Sequence, residues 1–119
     1  MTDWINIRQK AVDDAKAKIA SEGVNLYHYI EVCQVKHGIN GNGCITTDIL
    51  PKTNVDYVSY SSYDIIGQLS TYEAMKKELT TGLDFIEKHL PAKEGIQGKR
   101  VFIGEYGYPF GRDGKFDPK

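Results

Sequence analysis

Three short runs rich in β-branched and aromatic residues constrain this chain most: VNLYHYIEVC (24–33), VDYVSYSSY (55–63) and RVFIGEYG (100–107), each of which reads as a strand. Helical patterns precede or separate them. Over residues 3–20, Trp4, Ile5, Ala11, Val12, Ala15 and Ile19 form an apolar stripe at spacings of mostly three, four and seven. Thr2 or Asp3 is placed to cap that helix, and Gly23 to stop it. Over 71–90, Tyr72, Met75, Leu79, Leu83, Ile86 and Leu90 recur at three or four, with a capping box from Ser70 and Glu73 and a stop at Pro91. ITTDIL (45–50) predicts a short helical turn, and the glycine-rich KHGINGNG before it a loop. Strands that alternate with helices pair in parallel through helical crossovers. The near-continuous apolar run VFIG suits a sheet covered on both faces. The fold class is therefore α/β.

Size then limits the architecture. At 119 residues the chain can bury one modest core but cannot form a complete α/β barrel, which takes about 250 residues. A net charge of -1 leaves no basic footprint for nucleic acid. No apolar run approaches the ~20 residues of a membrane span. The N-terminal MTDWINIRQK has no apolar stretch of a secretory signal. Cys33 and Cys44 flank the glycine-rich loop, and both a disulfide across it and two free thiols remain open. No spacing of His, Cys and Asp resembles a metal site, and GINGNG lacks the Lys-Ser/Thr context of a phosphate loop, so no cofactor is expected.

Candidate chemistry gathers at strand ends. By simple alternation Val101, Ile103 and Glu105 share a face of the third strand. A carboxylate in line with buried apolar residues must reach water or a partner. The C-terminal end of the strand provides that, and barrel enzymes place their catalytic groups there. A structural salt bridge is the competing role for Glu105. Gly104 and Gly107 bracket it and leave room for close approach. Ser59, Ser61 and Tyr63 alternate on the second strand, which places the Tyr63 hydroxyl to donate to a carboxylate on the next strand or to water; Asp64 follows as a site or loop residue. Tyr27, Tyr29 and Glu31 share a face of the first strand, and Glu31 again ends a strand. His28 has the opposite parity and reads as a satisfied buried histidine. Tyr106, Tyr108 and Phe110 cluster after the third strand, and aromatic rings suit either the apolar faces of sugars or core packing.

VFIGEYGYP resembles the seventh-strand motif of retaining (β/α)8 glycoside hydrolases of the cellulase and β-galactosidase clan. In that motif a glutamate followed by an aromatic residue and glycine is the nucleophile, which the resemblance assigns to Glu105. The clan often carries His-x-Tyr on the sixth strand; Ser61-Ser62-Tyr63 keeps the tyrosine and lacks the histidine. WINIRQKAVDDAK followed by VNLYHYIEV is similar to the fourth helix and fifth strand of such a barrel.

The resemblance implies a partial (β/α)8 barrel over residues 1–119, about strands five to seven, truncated at both ends. The acid/base glutamate, usually in an Asn-Glu on the fourth strand, would lie upstream of Met1. Glu31 is then a substrate contact, together with Tyr63, Tyr29, Asp64 and Tyr108. The implied activity is hydrolysis of O-glycosidic bonds by double displacement on a carbohydrate substrate, with the isolated chain inactive and self-associating. Secretion of a full-length parent would be compatible with this class. The alternatives are a non-catalytic half-barrel that binds a glycan or a protein partner, and an unrelated small α/β protein with a structural Glu105.

Overall fold

A computed structural model describes residues 2–66 and 71–106. The first helix, α1, spans Thr2–Ala20, and the chain leaves it through Gly23 at φ +79. The first strand, β1, covers Tyr29–Val32 and is followed by helices α2 (Val35–Ile39) and α3 (Ile45–Asp48) and a 3-10 turn at Leu50–Lys52. Strand β2 (Tyr57–Ser61) passes directly into α4 (Tyr63–Ile66). Helix α5 (Tyr72–His89) then leads to β3 (Val101–Glu105).

The three strands form one parallel sheet in the order β1-β2-β3. The molecule is thus a small α/β unit with the sequential parallel pairing that the alternation predicts. Each strand is shorter than its sequence run. Val24 to Tyr27 are exposed and precede the first ladder pair, Tyr29 with Tyr57.

Alternation along the strands divides their side chains between two environments. On one face Val32, Val58 and Tyr60 are fully buried with Val35 of α2, Leu50, Val55, Ile65 of α4 and Ile86 of α5. Ile30, Leu79, Leu83, Phe85 and Val101 complete this layer. On the other face lie Tyr29, Glu31, Tyr57, Ser59 and Phe102, of which Tyr29 and Phe102 are 56% and 44% exposed. Their rings meet edge to face with centroids 5.8 Å apart, and Tyr27 meets Tyr57 likewise at 5.7 Å.

Two local expectations need correction. Residues 35–39, expected in the loop, form α2: the short helix has too few residues for a periodic signal, but Val35 and Gly38 are buried in it. Tyr63 is not a strand residue, because β2 ends at Ser61 and the chain turns at Ser62 into α4. At the start of α5 the cap is Thr71, whose hydroxyl accepts from the Ala74 amide at 3.2 Å; Ser70 lies outside the described residues. Leu90 is extended before Pro91, as a residue preceding proline must be. Cys33 and Cys44 are free thiols.

Asp56 organises the N-terminal end of the sheet. Only 2% exposed, it accepts from the His28 amide at 2.7 Å and pairs with Lys16 of α1 and, at 3.1 Å, with Lys93 after α5. Burial pushes its carboxyl up, but the hydrogen bonds from Lys16, the His28 amide and Lys93 outweigh that and hold it below its ordinary value. Arg100 lies alongside, its guanidinium donating to the carbonyls of Asp56 (2.8 Å), Pro91 (2.6 Å) and Val55 (2.7 Å).

Candidate functional site

Parallel strands place all their C-terminal ends at one edge, so Glu31, Ser61 and Glu105 come to the same side of the sheet. Simple alternation does not put Glu105 there. Val101 packs with the helices, and by alternation Glu105 would follow it. A bulge intervenes: Tyr60 pairs with Ile103, but Ser61 pairs with Glu105, so Gly104 is an extra residue on β3. Glu105 thereby takes the face of its partner Ser61. The sequence reading that aligned Glu105 with Val101 and Ile103 is corrected by this insertion. The Ser62 amide and hydroxyl anchor the strand end by donating to the Glu105 carbonyl at 2.9 and 3.0 Å.

Glycine at 104 is required by close packing. A Cβ there would overlap Ser59 Oγ and lie 3.2 Å from Ser59 Cβ and 3.6 Å from Glu31 Oε2. We expect Gly104→Ala to destabilise the fold by about 1–3 kcal/mol, an ordinary cost of overpacking. Urea denaturation of Gly104→Ala and of Gly104→Ala with Ser59→Gly checks this. Removing the Ser59 side chain should recover part of the loss, and strictly additive effects would show that the two positions do not clash.

Glu31 is half-buried and accepts from the Ser61 hydroxyl through Oε1. Tyr63, at the first turn of α4, is 49% exposed. Partial desolvation, then the nearby carboxylates of Glu105 and Glu31, hold its phenol above the ordinary value. Tyr63 therefore remains a proton donor at neutral pH, placed between two carboxylates. The Ser61 hydroxyl adds a contact that sequence reasoning did not assign; only its parity on β2 signalled a polar strand end.

The other expected site residues are placed differently. Both carboxyl oxygens of Asp64 are engaged: Oδ1 accepts from the buried Tyr60 hydroxyl at 2.5 Å and Oδ2 from the Lys36 amide at 2.9 Å. Asp64 thus ties α4 to α2 and to the helix-side core. Burial, then its bond to Asp64, raises the Tyr60 phenol far above its ordinary value. Tyr29 lies on the open face one pleat before Glu31, against Phe102. Tyr108 lies outside the described residues. His28 is buried, but neither ring nitrogen has a hydrogen-bond partner, contrary to the expectation of a satisfied histidine.

Among the described residues no group of three or more His, Cys, Asp or Glu side chains is arranged to hold a metal ion, and no helix is long and apolar enough to cross a membrane. Comparison of the chain with protein-family models, curated proteins and solved structures finds no match.

Proposed function

We propose that this chain is part of a retaining (β/α)8 glycoside hydrolase, about strands five to seven, in which Glu105 is the nucleophile. The observation that carries this reading is the convergence, at the C-terminal ends of parallel strands, of the Glu105 carboxylate with a second carboxylate, Glu31, and with Tyr63 at the start of α4. The motif IGEYG around Glu105 supplies the reaction class by resemblance, since barrel architecture alone serves many chemistries.

In this reading Glu105 attacks the anomeric carbon and forms a covalent glycosyl-enzyme. An upstream glutamate protonates the leaving oxygen and then activates water, with the two carboxyl groups about 5 Å apart. Tyr63 orients Glu105. Glu31, oriented by Ser61, and Tyr29 contact the sugar, and Asp64 supports the mouth through α4. Tyr108 belongs to the same proposed carbohydrate contact.

The test is labelling by a mechanism-based fluorosugar of a protein translated from a reading frame extended upstream of Met1. The label should sit on Glu105, and an Asn-Glu should lie on a predicted strand upstream. A label on another carboxylate, or an extended protein that turns over sugars without ever labelling, overturns the assignment.

A second reading, a non-catalytic sheet that binds a glycan or a protein partner, draws on the exposed rings of Tyr27, Tyr29 and Phe102. The two readings part over self-association. Strands β1 and β3 are the edges of the described sheet, and those rings lie beside it; unpaired edges and apolar patches favour association. For the barrel fragment we expect sedimentation of the 119-residue chain to show oligomers. A monodisperse monomer with one cooperative unfolding transition would favour the self-sufficient binding domain.

A further inference from the structure

The N-terminal end of the sheet carries an arrangement that the proposed hydrolase chemistry does not use. His28 is 8% exposed, and both Nδ1 and Nε2 are buried without a partner. Its amide donates to Asp56 Oδ2, the same oxygen that Lys16 of α1 engages. Lys16 with Asp56, and the Gln9 side chain accepting from the Asn54 amide at 3.1 Å, are the polar ties between α1 and the sheet among the described residues. The charged groups near enough to act on the His28 ring are Arg8 and Lys16 from α1, Asp56 before β2 and Lys93 after α5. Arg100, leading into β3, binds the Asp56 carbonyl. Cations outnumber the single carboxylate, whose two oxygens are already occupied.

We propose that His28 is the pH-sensitive element of a latch holding α1 to the sheet, and that protonating its imidazole releases the helix. A proton from solvent placed on the ring adds a positive charge within reach of Arg8 and Lys16, and neither ring nitrogen has an acceptor in place for the new N–H. The undocked helix leaves the ring hydrated and both protonation states free. Burial and then the charge of Arg8, opposed by Asp56 and reinforced by Lys16 and Lys93, place the His28 pKa below its ordinary 6.5. The docked state therefore binds fewer protons than the released one. Docking is at full strength above pH 6.5 and weakens as pH falls through and below that value.

Amide hydrogen exchange on the full chain reads this directly, because a released helix gives up the tertiary packing that supplies most helical stability and loses protection. Between pD 7.5 and 5.5, after correction for intrinsic rates, the α1 amides should lose protection by about ten-fold for each unit of pKa displacement traversed, while β2 amides keep theirs. His28→Gln should abolish the pH dependence of α1. Lys16→Met should leave α1 poorly protected at both values. Unchanged α1 protection in the wild type overturns the latch. So does the same pH dependence in His28→Gln, which retains His37 and His89. Should His28→Gln fail to fold, the wild-type His28 ring proton titration decides: its midpoint must lie below 6.5 and coincide with α1 release, and a separate midpoint overturns the proposal.

Discussion

Glu105→Gln in an extended protein that carries the upstream acid/base is expected to abolish covalent labelling by a fluorosugar. The substitution keeps the shape and most of the hydrogen bonding of the side chain and removes its nucleophilic charge. Removal of one member of a catalytic unit costs several orders of magnitude in turnover, so the loss should be total in a labelling assay. The neighbours grade the effect. Tyr63→Phe deletes the phenol proposed to orient Glu105 without removing the carboxylate, so labelling should slow but persist. Glu31→Gln should label normally and raise KM more than it lowers kcat, since this role is one of substrate contact. Labelling and turnover of Glu105→Gln at wild-type rates would eliminate it as nucleophile. The 119-residue chain alone should turn over nothing, because a retaining mechanism needs both carboxyl groups.

The largest expected stability effect lies at the opposite end of the strands. Asp56→Ala removes the acceptor of the His28 amide and the counter-charge of Lys16 and Lys93, leaving two partly buried ammonium groups without it. Breaking a buried pair by deleting one partner costs about 3–5 kcal/mol. A domain of this size is stable by roughly 5–15 kcal/mol, so the variant should sit close to the edge of folding. Equilibrium urea denaturation with far-UV circular dichroism measures this, and a loss below about 1 kcal/mol would place Asp56 among ordinary surface pairs. The sign with pH follows from its depressed pKa. The contribution of Asp56 is complete above its unfolded value near 3.8 and is lost as pH falls through the lower folded value. The acid loss centred on Asp56 therefore lies well below the window in which His28 acts.

The alternation of helices and strands, the two long helices and the polarity of the strand ends are legible in the sequence because they are periodic over many residues. Ile86 and Leu83 declare a helix face through their neighbours three and four positions away. Other features carry no such signal. Helix α2 is a five-residue helix in a stretch that reads as turn composition, and Asp64 looks like any loop carboxylate until Tyr60 and Lys36 are brought to it from elsewhere in the chain. The hub at Asp56 depends on Lys16, Lys93 and Arg100, separated from it by about forty positions, and no local pattern links them. For the proposed site the residue types and the strand-end placement were readable from sequence, while the face of Glu105 was not.

That last point turns on the additional residue at Gly104. A strand behaves as a two-state phase counter, and the unpaired Gly104 is passed over in the count before Glu105 is reached. The side chain that emerges on the open face beside Ser61 is thus selected by whether the chain bulges at Gly104 or pairs there, and the contact with Ser59 leaves room only for glycine at that point. Were Gly104 to pair with Ser61 instead of being bypassed, Glu105 would turn to the helical layer with the motif around it intact. Among chains that share this motif, the presence of the bulge would separate the sheets that present a carboxylate at the mouth from those that bury it.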